Sequence, residues 1–392
     1  MEKKKIKEGI YWVGAVDWDR RLFDALIPLP DGTSYNAYLV KGSKKTALFD
    51  TVDPTKTDML LSTLAGVDEI DYIISHHAEQ DHSGSIPQVL ERYKNAKVVT
   101  SPKGRELLLD LLKIPAESII TVADGETLSL GDKTIEVIYT PWVHWPETFS
   151  TYIREDKVLF SCDLFGSHLS FSGVFVEDEE KACEAAKRYY AEVMMPFRNI
   201  IRKHMDRLEK YDIDIIAPSH GPVHKNAEGI MKSHAKWISE DLANNAVIVY
   251  ASMHGSTEAM VNHLTDALSQ RGVNVERFNT SVMDSGKFAM SLVDAATLIF
   301  GSPTVLTGAH PNVIAAAFLA NALKPKVRFA SIIGSQGWGG KVVEQITSTI
   351  GTLKVEMLAP VLAKGMPKEN DLKALENLAE EIAKRHKESK LL

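Results

Sequence analysis

A run of metal-ligand side chains directly after an apolar strand is the feature that most constrains this chain of 392 residues. The segment His76-His77-Ala78-Glu79-Gln80-Asp81-His82 follows the strand-like residues 72–75. Its four candidate ligands are His77, Glu79, Asp81 and His82. Exposed polar residues or a helix cap would rarely place four such side chains so densely, and a turn after the strand can direct them into one space. The spacing therefore predicts one half of a two-metal site.

Three further ligand-type side chains each lie just beyond another predicted strand. His144 follows the run 135–140, Asp163 follows 158–162, and His220 follows 215–217. A lone histidine in a loop is usually an ordinary polar residue. Three such residues, each past a separate strand, instead fit one site at the edge of a sheet. The second half of the metal site is therefore predicted to come from His144, Asp163 and His220.

Length and composition bound the class of protein. A chain of this length exceeds what one hydrophobic core usually organises, so two or three domains are expected. Hydrophobic residues make up 44%, and no apolar run is long enough to cross a bilayer. The basic N-terminus lacks the apolar segment of a signal peptide, and only two cysteines occur. We expect a cytoplasmic protein without a membrane span, and the net charge of -7 argues against nucleic acid as a partner.

The hydrophobic pattern changes near residue 243. Upstream, short β-rich runs alternate with helical stretches such as 177–208. The predicted strands there are 47–50, 72–75, 135–140, 158–162 and 215–217. Downstream, apolar strands typical of a parallel sheet alternate with helices, and they are predicted at 246–251, 274–278, 297–300 and 327–333. We predict one domain over residues 1–243 and a doubly wound α/β domain over residues 244–392.

Three small polar loops follow strands of the second domain. The first precedes a predicted helix over 258–270, and the N–H groups at such a helix start bind phosphate. An ordinary N-cap explains that loop equally well. The other two loops make ligand binding the better interpretation. Their small residues let backbone amides approach a ligand, and Trp338 offers an aromatic face to a flat ring. The predicted cofactor-binding residues are Ser252, Met253, His254, Gly255, Ser256, Thr257, Ser302, Pro303, Thr304, Val305, Leu306, Thr307, Gly308, Ser335, Gln336, Gly337, Trp338, Gly339 and Gly340.

The order of the metal ligands resembles the metallo-β-lactamase fold, whose usual signature is H-x-H-x-D-H followed by a later His, an Asp and a last His. This chain has Glu79 where that fold generally has a second histidine. The carboxylate adds negative charge and a hard oxygen ligand, which suit iron or manganese better than the nitrogen-rich sites of hydrolytic zinc. Asp163 alone can bridge two cations, which lie roughly 3.5–4 Å apart in two-metal sites. The three loops of the second domain resemble flavodoxin and so imply FMN.

Together these features resemble the flavodiiron proteins, or A-type flavoproteins, over nearly the whole chain. The segments 34–40, 161–166 and 253–257 also look like family sequence. The resemblance implies an α/β protein, with a metallo-β-lactamase-like αββα sandwich followed by a flavodoxin-like doubly wound parallel sheet. The implied ligands of one iron are His77, Glu79 and His144. Those of the other iron are Asp81, His82 and His220, with Asp163 as the bridge.

The activity implied by this resemblance is reduction of O2 to water or of NO to N2O. Electrons are expected to pass from an external donor to FMN and then to the two irons. The chain carries no cysteine-rich rubredoxin extension, so a separate rubredoxin or, as in some archaeal relatives, reduced coenzyme F420 is expected as the donor. The resemblance also implies a head-to-tail homodimer or a dimer of dimers, because the flavin of one family subunit lies near the irons of the other.

Three questions stay open at this level. Some family members carry a histidine in the segment corresponding to residues 21–25, whereas here none precedes His76, so the preference between O2 and NO is undetermined. His168 and Tyr190 fit either a role beside the metals or ordinary packing. The main alternative function is a dinuclear zinc hydrolase of metallo-β-lactamase type with a flavodoxin-like accessory domain. A redox sensor that stores electrons without turnover is the non-enzymatic alternative.

Overall fold

The computed structural model describes residues 2–392, which divide into two compact units. The first unit comprises the chain up to Tyr190 together with Phe197–Ile238, and the second comprises Ala191–Pro196 and Ser239–Leu392. The boundary predicted between residues 243 and 244 falls at the start of the strand Ala243–Tyr250 and stays a prediction. Within residues 2–392, no helix is both long and apolar enough to span a membrane.

The first unit contains sixteen strands and seven α-helices among its described residues. The strands are β1 (Lys4–Lys7), β2 (Ile10–Trp12), β3 (Ala15–Asp17), β4 (Leu22–Phe23), β5 (Ile27–Pro28), β6 (Thr33–Tyr35), β7 (Tyr38–Lys41), β8 (Thr46–Phe49), β9 (Tyr72–Ile74), β10 (Lys97–Thr100), β11 (Ile119–Thr121), β12 (Thr127–Ser129), β13 (Thr134–Tyr139), β14 (Phe149–Ile153), β15 (Val158–Cys162) and β16 (Ile215–Pro218). The helices are α1 (Thr57–Thr63), α2 (Gln80–Ser83), α3 (Ile86–Arg92), α4 (Pro102–Leu111), α5 (Glu179–Tyr189), α6 (Arg198–Leu208) and α7 (Ala227–Ile238).

Two sheets make up the centre of this unit, in the strand orders β1-β2-β7-β8-β9-β10-β11 and β12-β13-β14-β15-β16. Successive side chains of a strand point to opposite faces of its sheet. Leu48 in β8 packs with Leu60 of α1, whereas its neighbour Phe49 packs with Phe160 of the second sheet. The first sheet is therefore apolar on both faces, with helices on one side and the second sheet on the other. The predicted sandwich is confirmed.

The second unit contains seven strands and five α-helices among its described residues. The strands are β17 (Ala243–Tyr250), β18 (Asn274–Asn279), β19 (Ala295–Val305), β20 (Gly308–Ala309), β21 (Phe329–Gln336), β22 (Glu356–Met357) and β23 (Val361–Lys364). The helices are α8 (Ser256–Gln270), α9 (Ser285–Ser291), α10 (Pro311–Leu323), α11 (Val342–Thr349) and α12 (Glu369–Glu388).

The sheet of the second unit is parallel in the order β18-β17-β19-β21, and β22 and β23 both add to β21 in parallel. Ile248 and Ile299 on one face pack with Leu264 of α8 and Ile382 of α12. This is the flavodoxin-like order, in which ligands bind beyond the carboxyl ends of the strands where the strand order reverses. The predicted doubly wound sheet is confirmed, and β17 and β19 flank its reversal point.

Candidate metal centre and cofactor cavity

The structure brings all seven predicted metal ligands together at the ends of four strands. The segment from His77 to His82 follows β9, and its last part is the short helix α2. His144 follows β13, Asp163 follows β15 directly, and His220 follows β16. Asp163, His77 and His220 are buried. Strand ends from both sheets, β9 from the first and β13, β15 and β16 from the second, therefore position residues that lie up to 143 positions apart in the sequence, from His77 to His220.

One oxygen of the buried Asp163 carboxylate faces the first group of ligands. Oδ2 of Asp163 lies 3.8 Å from Nε2 of His77 and 3.8 Å from Nε2 of His144. Oε2 of Glu79 lies 3.0 Å from the same nitrogen of His77 and 3.1 Å from that of His144. Donor atoms of His77, His144 and Asp163 fall within 4.8 Å of one another, which suits a single metal ion.

The other oxygen of Asp163 faces the second group. Oδ1 of Asp163 lies 3.3 Å from Nε2 of His82 and 3.4 Å from Nε2 of His220. The two oxygens of Asp81 lie 3.4 Å and 3.2 Å from these same two nitrogens. Donor atoms of Asp81, His82 and His220 also fall within 4.8 Å of one another. The arrangement is thus two ligand groups that share one carboxylate.

The buried oxygens of this cluster fit metal ligands. Both carboxylate oxygens of Asp81 and both of Asp163 are buried without a hydrogen-bond partner. A buried charged oxygen without a partner is strongly unfavourable unless a cation compensates it. Carboxylate oxygens combined with imidazole nitrogens are a donor set that iron accepts. The residues present therefore fit two cations.

Electrostatics at the centre favour positive charge. Burial alone lowers the pKa of His77, but hydrogen bonds with Glu147 and Glu79 outweigh burial and raise the pKa to about 9. Burial likewise opposes the charged form of His82, yet the negative charges of Asp163 and Asp81 raise its pKa well above the ordinary value. The carboxylates thus create a negative potential that protons or metal ions can neutralise.

Two ligand histidines are oriented through the ring nitrogen that faces away from the centre. Nδ1 of His77 donates to Oε1 of Glu147 at 2.7 Å, and Nδ1 of His220 donates to the carbonyl oxygen of Ser34 at 2.7 Å. These bonds fix the tautomer in which Nε2 is free to bind a metal. The sequence prediction did not include Glu147, although a carboxylate three residues after His144 was the available indication.

The end of β16 is held by side chains from the first sheet. Asn36 donates through Nδ2 to the carbonyl oxygens of Pro218 at 2.8 Å and Gly221 at 2.7 Å. The hydroxyl of Tyr38 donates to the same Pro218 carbonyl at 2.6 Å. A Cβ at Gly14 would lie 2.2 Å from the carbonyl oxygen of Tyr35, so only glycine allows this close backbone approach. His220 is therefore fixed by its neighbours as well as by Ser34.

A third group of potential ligands, Asp50, His82 and Cys162, is already occupied by protein contacts. Asp50 accepts hydrogen bonds from both Nδ1 and the backbone N–H of His76, at 2.7 Å and 2.8 Å. Burial raises the pKa of the Cys162 thiol well above its usual value, which keeps it protonated. Asp50 and the Cys162 thiol are therefore not available for a third metal site.

Of the two undecided residues, His168 lies beside the centre and Tyr190 does not. The His168 ring is 5.1 Å from that of His220, and its Nδ1 lies 2.9 Å from the Thr33 hydroxyl. Tyr190 packs against Trp237 at 5.7 Å between ring centroids. The tyrosine that faces His220 is the preceding residue, Tyr189, at 5.8 Å.

A cavity of about 450 Å³ reaches the carboxylates of the centre. It is lined by Arg20, Phe23, Asp24, Asp53, Pro54, Thr55, Glu79, Gln80, Asp81, Leu111 and Trp145. The turn between β4 and β5 therefore contributes Asp24 to the lining of this cavity. The cavity offers a small molecule a path to the predicted metal ligands Glu79 and Asp81.

In the second unit, a cavity of about 330 Å³ lies at the carboxyl ends of β17, β19 and β21 and is lined in part by the last residues of β19 and β21. It is lined by Ser252, Met253, His254, Ser256, Thr257, Pro303, Thr304, Ser335, Gln336, Gly337, Trp338 and Gly365. Gly255 precedes α8 with a φ of 85°, a backbone conformation that favours glycine. Because glycine has no side chain, this residue leaves the N–H groups at the start of α8 without a side-chain cap. The Thr304 hydroxyl is buried without a hydrogen-bond partner, which fits a bound polar ligand.

Some predicted cofactor residues lie outside this cavity lining. These are Gly255, Ser302, Val305, Leu306, Thr307, Gly308, Gly339 and Gly340. The segment from Thr304 to Ala309 is a hairpin between β19 and β20, with Leu306 almost fully exposed at its tip. The Ser302 hydroxyl instead accepts a hydrogen bond from the backbone N–H of His310 at 2.9 Å. Gly365 lines the cavity and was not predicted; the cofactor role of every residue in the three loops stays a prediction.

Comparison with known proteins gives consistent matches across both units. The model of the ODP family of beta lactamases matches residues 33–221, and the flavodoxin model matches residues 248–388. A nitric oxide reductase of Moorella thermoacetica is 33% identical, covering 97% of this chain and 98% of the relative. A coenzyme F420H2 oxidase of Methanocaldococcus jannaschii is 30% identical, covering 99% and 98%. The structure of a rubredoxin oxygen:oxidoreductase from Desulfovibrio gigas matches with a TM-score of 0.93 and 30% identity, covering 98% of each chain.

Proposed function

This chain belongs to the flavodiiron, or type A flavoprotein, family, and from that premise we propose that it reduces O2 to water, NO to N2O, or both. The reaction takes place at a non-haem diiron centre that receives electrons through FMN. The observation that carries the proposal is the Asp163 carboxylate, which is fully buried without a hydrogen bond and faces one ligand group with each oxygen.

The ligand roles follow the two groups around Asp163. The residues proposed to hold one iron are His77, Glu79 and His144. Those proposed to hold the other are Asp81, His82 and His220, with Asp163 as the bridge. When bound, two irons supply two electrons and FMN supplies two more, which matches the four-electron reduction of O2. Glu79 distinguishes this centre from the histidine-rich zinc sites of hydrolases and favours the redox function.

The protein residues around the centre have two tasks in this proposal. The Ser34 carbonyl holds His220 in the tautomer that directs Nε2 inward. The cavity lined by Phe23, Asp24 and Trp145 admits a diatomic gas to the ligand carboxylates. Protons consumed in the reduction enter through the same solvent-connected cavity.

FMN is proposed to bind in the cavity of the second unit. The first turn of α8 and the small residues around it suit the phosphate, because backbone N–H groups and the helix dipole favour an anion. The Thr304 hydroxyl can hydrogen-bond the flavin, and Trp338, which is 88% exposed, can cover the ring. Flavin stacking on an aromatic face is consistent with the composition of this cavity.

The electron donor is proposed to be a separate redox molecule, with rubredoxin and reduced F420 as candidates. One relative is named for F420H2 and another for rubredoxin. We also propose a head-to-tail homodimer, or a dimer of dimers, in which the flavin of one subunit serves the irons of its partner. A monomer produced by dilution or interface mutation is then expected to keep both cofactors and lose turnover. Full activity in a monomer verified by light scattering would contradict the dimer.

Metal analysis and gas turnover test the proposed function together. The purified protein is expected to contain iron and to show a yellow flavin spectrum. With an excess of an external electron donor present, the reduced protein should then be supplied with O2 and with NO in parallel, and gas consumption should exceed what the electrons stored in the protein could reduce. Two zinc ions with thioester or phosphodiester hydrolysis would refute the proposal. Consumption that stops after one stoichiometric reoxidation would indicate a redox sensor instead.

A further inference from the structure

The metal centre contains a buried carboxylate that the proposed reaction does not use as a ligand. Glu147 is 3% exposed, and its Oε1 lies 2.7 Å from Nδ1 of His77. The same oxygen accepts a hydrogen bond from the backbone N–H of Ala78 at 2.9 Å. Glu147 therefore contacts both the ring and the backbone that follows this ligand. Nε2 of the same imidazole faces Glu79 and Asp163.

The backbone of Glu147 and the ring of His77 are each held by a further neighbour. Its carbonyl oxygen accepts a hydrogen bond from the Ser101 hydroxyl at 2.9 Å, and that hydroxyl also caps α4 through the backbone N–H of Gly104 at 3.0 Å. The Trp145 ring lies edge-on to the His77 imidazole with 4.9 Å between centroids. Rigid neighbours thus limit the imidazole to one orientation.

The two iron positions differ in this kind of support. His220 donates its Nδ1–H to a neutral carbonyl, that of Ser34. His77 donates to a charged carboxylate, and hydrogen bonds to ionised acceptors are roughly twice as strong as neutral ones. A carboxylate behind a ligand histidine raises the basicity of the nitrogen that binds the metal. The His77 position should therefore depend on its supporting residue more than the His220 position does.

We propose that Glu147 is a positioning residue that holds His77 in the metal-binding tautomer and strengthens it as a ligand for the ion shared with Glu79 and His144. The inference rests on the proposed function only for the identity of that ion. Loss of the Glu147 charge should weaken one metal position selectively. If Glu147 only stabilised the fold, its loss would weaken metal binding at both positions and lower the stability of the first unit.

The variant Glu147→Gln tests the charge, because glutamine keeps the size and one acceptor oxygen. Glu147→Ala removes the acceptor as well. We expect anaerobic competition between the FMN-loaded protein and a chromophoric Fe(II) chelator to show one position weakened about 10–100-fold in Glu147→Gln. The weakening should be larger in Glu147→Ala. The second position, the FMN content and the melting temperature should stay close to wild type in Glu147→Gln.

A matched control removes another hydrogen-bonded carboxylate from the same unit. Glu136 accepts a hydrogen bond from the Tyr211 hydroxyl at 2.7 Å, and Glu136→Gln should leave both metal affinities unchanged. Wild-type affinity at both positions in Glu147→Gln would overturn the inference, as would equal weakening of both positions with a lower melting temperature. Repeating the competition with Zn(II) separates the two ideas, since selective weakening can persist even if the native metal is zinc and the proposed function fails.

Discussion

Replacement of the shared carboxylate, Asp163→Asn, is expected to remove at least one iron while FMN stays bound. In the native centre, one oxygen faces His77 and His144 and the other faces His82 and His220. An asparagine side chain has one oxygen and one NH2 group. Whichever way the amide turns, one ligand group therefore meets a hydrogen-bond donor where it had a metal ligand.

The distances around Asp163 set the size of the effect. Its oxygens lie between 3.3 Å and 3.8 Å from four imidazole nitrogens. One negative charge at such a distance stabilises a unit positive charge by about 4–5 kcal/mol at an effective dielectric constant of about 20. Each 1.4 kcal/mol corresponds to about tenfold in affinity. Loss of the charge should therefore weaken metal binding about a thousandfold or more.

Iron and flavin content per chain measure this outcome directly. Elemental analysis should give one iron or fewer in Asp163→Asn, and the flavin absorbance should match wild type. Asp212→Asn is the control, since Asp212 is exposed in the same unit and pairs only with Lys157 among the ion pairs described. Wild-type occupancy and affinity for two irons in Asp163→Asn would refute the bridging role.

Two further predictions concern the second unit. Thr304→Val should weaken FMN binding about fivefold to tenfold, because a net hydrogen bond contributes about 1 kcal/mol; titration of the apoprotein by flavin fluorescence measures it, and an unchanged Kd would show that the buried hydroxyl does not contact FMN. Burial lowers the pKa of His386 to about 4 from an ordinary value near 6.5, so the unfolded chain binds the extra proton between these values. Stability should be complete above about pH 6.5 and fall by about 3 kcal/mol as the pH drops toward 4. The free energy of unfolding, measured with denaturant at several pH values in this range, should depend less steeply on pH in His386→Gln. The same pH dependence as in wild type would contradict the assignment.

The clustering of the seven predicted metal ligands could be expected because ligand chemistry leaves a local pattern. Four of them lie within six residues, and the other three follow strands that were recognisable from short apolar runs. Carboxyl ends of neighbouring strands converge at one edge of a sheet, so the sequence predicted a common site; only the structure showed that β9 belongs to one sheet and β13, β15 and β16 to the other. The doubly wound sheet was predictable because its apolar strand pattern reflects burial on both faces, whereas the sandwich was implied by the family resemblance.

Support for those ligands was not predictable in the same way. Glu147 and Asp50 contact His77 and His76 across 70 and 26 positions of sequence. The position of Glu147 three residues after His144 is only a weak indication, because it does not show which histidine the carboxylate reaches. Tyr189 and Tyr190 are adjacent at the end of a helix, where one residue turns the side chain by about 100°. The packing of this helix in the tertiary structure determines that Tyr189 faces His220 while Tyr190 packs on Trp237.

The second unit shows the same division between local pattern and tertiary structure. The sequence by itself indicated the parallel strands and the small polar segments that follow their apolar cores, but β19 and β21 run to Val305 and Gln336, past the predicted ends at 300 and 333. Only the tertiary structure decided which loop residues reach the cavity, because hairpin pairing between β19 and β20 turns Leu306 outward while Thr304 stays inside. Ligand types are fixed by chemistry and appear in the sequence, whereas orientation depends on contacts between residues that are distant along the chain.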